Sequence, residues 1–141
     1  MEHSETADRL AIAELLATYS DALSAKDFDK WQSAFAPDGV ADYTGAGGVK
    51  GTPAECRAWL ETVLAGFDFL HYTVANVIVR FDVGVDRATV TSAFHGTMRI
   101  PGADGGSPVH MRVGGNYNDT VVRSALGWRI ASRTERFGFA V

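Results

Sequence analysis

The chain has 141 residues, 46% of them apolar, which suits one domain around a single core and is too little for two of ordinary size. Its formal net charge is −4 and its 13 basic residues form no run, which argues against a nucleic-acid surface and for an uncharged or apolar small ligand. The acidic N-terminus from Met1 to Asp8 has no apolar signal region, and no apolar run reaches the roughly 18 residues of a membrane span, so a soluble, cytoplasmic protein is expected.

Ile12, Leu15, Leu16, Tyr19 and Leu23 recur on one face of a helix whose other side carries Glu14, Ser20 and Asp21, so Tyr19 is predicted to point inward. A short second helix is predicted from Asp27, with Phe28, Trp31 and Phe35 on one face and Pro37-Asp38-Gly39 as the turn that ends it. Val40 to Tyr43 reads as a short strand in which Asp42 and Tyr43 face opposite ways. The following glycines, Gly45 to Gly51, lack the spacing of a dinucleotide or phosphate loop.

Thr52-Pro53-Ala54-Glu55 is a capping-box helix start, and Trp59, Leu60, Val63, Leu64 and Phe67 give a third helix its buried stripe. The lone Cys56 lies in that helix, where it packs as a small hydrophobe; a nucleophilic role lacks a placed base. From His71 the pattern changes to strands at about 71–81, 88–100, 109–123 and 128–137, separated by turns at Gly84 to Asp86, Pro101 to Pro108 and Ser124 to Gly127. The predicted fold is α+β: a cone-shaped single domain over residues 1–141, with three N-terminal helices packed in a strongly curved, mostly antiparallel sheet.

This element order, the segment Lys26-Asp27-Phe28-Asp29-Lys30-Trp31, and Gly114-Gly115-Asn116-Tyr117-Asn118-Asp119 ahead of Gly127-Trp128-Arg129-Ile130 together resemble the SnoaL-like branch of the nuclear transport factor 2-like superfamily. The resemblance covers nearly the whole chain. It implies a cone-shaped cavity and frequent dimerisation through the sheet, hence a homodimer. Members include scytalone dehydratase, ketosteroid isomerase, polyketide cyclases and proteins with no catalytic function, so the fold alone does not assign chemistry.

By that resemblance, Tyr19 stands where ketosteroid isomerases carry an oxyanion-binding tyrosine, and Asp119 stands near their second oxyanion-hole acid. Tyr43 occupies the place of the isomerase base and matches a pocket tyrosine of scytalone dehydratase. His71 matches the dehydratase's acid/base histidine, while Leu23-Ser24 replaces its Tyr-Asp pair.

On the residues themselves, His71 either moves a proton, with a reference pKa near 6.5, or is a half-exposed strand-end histidine. Asp119 shares strand parity with Tyr117; it either donates from a desolvated carboxyl or orients His71, or it is salt-bridged to Arg112 or Arg133. Tyr19 and Tyr43 are the phenols expected in the cavity, with Asp42 facing away. Asn76 would need a bulge to share the face of His71. His95 and His110 lack metal-ligand spacing, so no metal is expected, and His95 is assigned to the pocket or a dimer interface.

Tyr117, Trp59, Phe67, Phe94 and Met98 are expected as substrate-binding wall, beside Phe69 and Met111. The expected function is a cofactor-independent lyase or isomerase, dehydratase-like or cyclase-like, acting on a small apolar carbonyl compound such as a polyketide, steroid or terpenoid intermediate. His71 is expected to move the proton while Tyr19, Tyr43 and Asp119 polarise the substrate. The alternative is a non-catalytic ligand-binding or dimerisation module.

Overall fold

Helix α1 (Glu5–Ala25) starts at Ser4, whose Oγ accepts from the Ala7 N–H at 3.4 Å, and stops at Lys26, which turns the chain with a left-handed φ of 54°. Its buried face holds Ile12, Leu15, Leu16, Tyr19 and Leu23, as the periodicity predicts. Ser20, predicted on the solvent side, is buried instead. In this computed structural model residues 4–83 and 86–141 are described; residues 1–3 and most of the turn predicted at Gly84 to Asp86 lie outside them. Among the described residues no helix is long and apolar enough to cross a membrane.

Helix α2 (Phe28–Ser33) is capped by Asp27, which accepts from the Lys30 N–H at 3.1 Å. It ends earlier than the sequence pattern predicts, because Phe35 already belongs to strand β1 (Phe35–Asp42). Pro37-Asp38-Gly39 is therefore no turn. The pairing of β1 jumps from Phe35 opposite Ile130 to Val40 opposite Ser132, and the bulge between them takes the proline, which has no ladder donor to offer.

After the two-residue strand β2 (Lys50–Gly51), helix α3 (Pro53–Leu64) opens on the full capping box: Thr52 Oγ1 accepts from the Glu55 N–H and Glu55 accepts from the Thr52 N–H. Strands β3 (Phe69–Phe81), β4 (Arg87–Ile100), β5 (Val109–Ser124) and β6 (Gly127–Ala140) follow close to their predicted bounds.

The sheet runs β2-β1-β6-β5-β4-β3, antiparallel throughout except where β1 lies parallel to β6, and it stays open. Beside the β1 bulge and one at Gly138 on β6, two further bulges curve it around α1. On β3, Ala75 pairs with Ala93 and Ile78 with Thr91, so Asn76 and Val77 stand together opposite Ser92, Asn76 with a φ of 53°. The inward set thereby moves from Leu70, Tyr72 and Val74 to Val77, Val79 and Phe81. On β6, Ile130 pairs with Val121 and Ser132 with Thr120, leaving Ala131 as the extra residue. That bulge moves the inward set from Trp128 and Ile130 to Arg133, Glu135 and Phe137.

At one end of the cone Arg123 grips Asp8 with two hydrogen bonds of 2.6 and 2.8 Å, and Trp128 Nε1 donates to the same carboxylate at 3.1 Å. This clamp ties the first turn of α1 to β5 and β6.

Candidate active site

The inward stripe of α1 brings Tyr19 against Tyr43, and the two hydroxyls share a buried hydrogen bond. Tyr43 is held by the loop that follows it. Its carbonyl accepts from the N–H groups of Ala46 (3.0 Å) and Gly48 (2.9 Å), and its own N–H donates to the Val49 carbonyl at 2.9 Å. The loop then lies against Trp59 of α3, whose ring stacks on Tyr43 at 5.6 Å and 26°. Only glycine fits at 48, since a Cβ there would sit 2.5 Å from the indole. Asp42 faces away, as parity predicts; a hydrogen bond from the Thr44 hydroxyl at 2.6 Å holds its carboxyl below the usual range.

Together these elements and the sheet enclose a cavity of about 200 Å³. Tyr19, Tyr43, Tyr117, Trp59, Phe67, Phe94 and Met98 all line it, as do the α3 residues read from sequence as a core stripe. Phe94 and Tyr117 stack at 4.6 Å and 21° on the sheet side. Tyr72, which sequence reasoning passed over, lies beside them across Gly96, where a Cβ would come within 2.7 Å of its ring.

Beneath the phenols Arg133 and Asp119, which pair directly across β5 and β6, form a bidentate ion pair of 2.8 and 2.7 Å with both residues buried. The guanidinium is sandwiched between the rings of Tyr19 and Tyr117, with its carbon 4.1 and 3.8 Å from their centroids. Burial opposes the Arg133 charge, but the Asp119 carboxylate more than offsets it, and arginine stays protonated. Of the roles open to Asp119 in the sequence, the one observed is the ion pair with Arg133. Both its oxygens are occupied, and it neither lines the cavity nor meets His71.

Glu135 is the acid that does line the cavity. No hydrogen bond from the described residues reaches its carboxylate. Burial pushes its pKa up to about 7, against the opposing pull of Arg133. Burial likewise raises the phenols of Tyr19, Tyr43, Tyr72 and Tyr117, so all four are protonated donors at neutral pH. Arg133 partly counters that rise at Tyr19.

The structure does not bring His71 to this cavity. It sits on the outer face of β3, exposed, paired with Thr97 and beside Phe69, while its neighbours Leu70 and Tyr72 turn inward. His95 is also on the outer face, against Phe139 and off the pocket wall; His110 is exposed too. Asn76 forms the β3 bulge.

Ser24, where the dehydratase carries an acid, fastens strand to helix: its hydroxyl accepts from the Tyr72 N–H at 2.8 Å and donates to the Ser20 carbonyl at 3.0 Å. Cys56 is buried against the carbonyls of Ala41 and Gly51, and burial raises its thiol. Among the described residues no group of three histidine, cysteine or acidic side chains is placed to hold a metal ion.

The chain is 34% identical over 132 residues to an uncharacterized protein of Mycobacterium tuberculosis, spanning 94% of this chain and 86% of that one. Its backbone superposes on a crystal structure of a Kribbella flavida protein with a TM-score of 0.83 at 24% identity, covering 98% of this chain and 95% of that one. It also superposes on a hexachlorocyclohexane dehydrochlorinase with a TM-score of 0.79 at 15% identity, covering 96% and 88%. At those identities the two structures share the fold. The SnoaL-like domain family matches residues 4–134, and on that match, with the helix-filled curved sheet and its cavity, the chain belongs to the SnoaL-like domain family.

Proposed function

We propose that this cavity carries out a lyase or isomerase reaction that begins by removing a proton beside a carbonyl group, with Glu135 as the base. The supporting observation is the convergence, in one apolar cavity, of a carboxylate free of hydrogen bonds from the described residues and a pair of protonated phenols.

Glu135 takes the proton from the carbon next to the carbonyl, and the C–H electrons move onto the carbonyl oxygen as an enolate. The Tyr19–Tyr43 pair donates to that oxygen, a preorganised electrostatic role in a cavity walled mainly by apolar side chains. The proton then leaves Glu135 for a second carbon, giving the isomer. In the lyase variant the enolate reforms the carbonyl and expels a β-substituent, which departs with the proton as water or with its own charge as halide. A carboxylate poised near pH 7 suits both directions of transfer. Arg133 takes no part in the transfer; held by Asp119, it positions the Tyr19 and Tyr117 rings.

α-Tetralone, a neutral bicyclic ketone, serves as the probe. Wild-type protein is expected to accelerate exchange of its α-protons in heavy water, read by proton NMR, and Glu135→Gln to slow that exchange about a hundredfold or more. Full exchange by Glu135→Gln would refute the assignment.

A second reading has its own support: His71, His95 and Asp119 all lie off the cavity wall, leaving Glu135 as the single carboxylate there among the described residues. A wild-type protein that binds the ketone without exchanging its protons is the result that favours a ligand-binding module. In either case the homodimer is proposed to form through the outer sheet face, where Ile78 is 55% exposed and Phe139 42%.

A further inference from the structure

The strand register gives the cavity a depth scale. Met98 pairs with Met111 and Gly96 with Val113 at one end; then Phe94 lies opposite Gly115 and Ser92 opposite Tyr117; then Val90 meets Asp119. On β6 the same order runs from Phe137 through Glu135 to Arg133. The polar side-chain atoms therefore gather toward the inner end, on Tyr19, Tyr43, Tyr117 and Glu135, joined by the phenol of Tyr72 from the level of Gly96, while the rest of the outer part is apolar, walled by Met98, Met111, Val113, Leu64 and Phe67. Val63 and Phe137, 43% and 38% exposed, mark the mouth.

Charge and size narrow the occupant further. Among the described residues Glu135 is the one charged side chain on the wall, and no cation stands there to meet a carboxylate, a phosphate or the phosphates of a carrier thioester. Arg133, the nearest guanidinium, spends Nε and Nη2 on Asp119, and its Nη1, without a hydrogen-bond partner among the described residues, is buried off the cavity wall; its field also disfavours a second cation beside Glu135. An apolar cavity of about 150 Å³ takes one benzene ring. At about 200 Å³ this one has room for a second fused ring or a short side chain, and four fused rings would project past Val63 into water.

We propose that the substrate is an uncharged one- or two-ring ketone or enone, bound with its oxygen at the Tyr19–Tyr43 pair and its ring body toward Met98 and Met111. Anionic compounds and tetracyclic steroids fall outside this class. The inference rests on the proton-abstraction reading for the carbonyl, whereas the size and charge limits stand on the cavity itself.

Isothermal titration calorimetry on the wild-type chain compares α-tetralone, the corresponding tetralin carboxylate, aminotetralin and progesterone at neutral pH. The expected result is that α-tetralone binds tightest and each of the others at least about tenfold more weakly. Val63→Trp, a change at an exposed helix position over the mouth, is expected to weaken α-tetralone at least about tenfold while leaving the unfolding midpoint near that of wild type.

Progesterone or the carboxylate binding as tightly as α-tetralone would overturn the proposal. So would aminotetralin binding tightest, α-tetralone giving no measurable heat, or Val63→Trp binding it undiminished. The wild-type ligand series needs no variant and no turnover. A failed exchange assay therefore leaves the binding order standing, and a failed binding order leaves the role of Glu135 to the exchange assay.

Discussion

Glu135 owes its place in the cavity to one extra residue upstream. Without the bulge at Ala131, the parity of Trp128 and Ile130 would turn Ser132, Thr134 and Arg136 inward and leave Glu135 in solvent. Its neighbour Arg133 would then lose Asp119. These two form the riskiest contact in the fold, because a buried guanidinium stripped of its partner is far more costly than the intact pair is stabilising. Asp119→Asn is therefore expected to destabilise the protein by about 3–5 kcal/mol in urea unfolding. A catalytic Asp119 would give a different signature, normal stability with lost turnover. Tyr43→Phe removes one hydroxyl of the oxyanion pair while keeping the stack on Trp59. It is expected to lower α-tetralone exchange by about tenfold to a hundredfold and to change ketone affinity less than exchange rate.

Among the elements, the β3 bulge and the loop after β1 place the site. Asn76 sits at a φ of 53°, which glycine and asparagine tolerate and β-branched residues do not. Asn76→Ile is expected to cost about 1–3 kcal/mol in thermal or urea unfolding, and Asn76→Gly much less. Gly48→Ala pushes a methyl group into the Trp59 indole. The expected outcome is a stability loss of about 1–3 kcal/mol together with weaker α-tetralone binding, because Trp59 and Tyr43 shift as a unit.

These elements also explain what the sequence could reveal. The α1 stripe carries a period of 3.6 and the four long strands carry a period of 2 on either side of their bulges, so their bounds and the α+β cone were legible, as was the Thr52–Glu55 cap. The alternation of Leu70, Tyr72 and Val74 against His71, Thr73 and Ala75 likewise held the outward direction of His71. The family position of that histidine pointed the other way, and the strand's own pattern proved the better guide. The first half of strand β1 was hidden, although Val40 to Asp42 was read as strand, because Pro37-Asp38-Gly39 is turn chemistry used inside a bulge. Glu135 was hidden for a related reason: its parity depends on Ala131, and Arg133-Thr134-Glu135-Arg136 reads as a charged solvent face. The cross-strand partnership of Asp119 with Arg133 was the signal that could have exposed it.

For the whole molecule, Glu135 links stability to pH. Its pKa rises from an ordinary 4.5 to about 7 on folding, so the native state holds this proton more tightly than the unfolded chain does. The resulting stabilisation is complete below about pH 4.5 and is lost as the pH rises through about 7. After allowance for solvent screening at a partly buried carboxylate, urea unfolding is expected to show a loss on the order of 2 kcal/mol between about pH 5 and 8. Glu135→Gln is expected to remove most of that slope. The lowered carboxyls of Asp42 and Asp68 act in the opposite sense and at more acidic pH, so they do not mask it.

The most direct test is the pH profile of α-tetralone exchange in wild type, His71→Ala and Glu135→Gln. The wild-type rate is expected to rise as Glu135 ionises and to level off above about pH 7, with His71→Ala following the same curve at nearly the same height and Glu135→Gln flat and at least about a hundredfold lower. A profile that disappears in His71→Ala and survives in Glu135→Gln would contradict the assignment of the base.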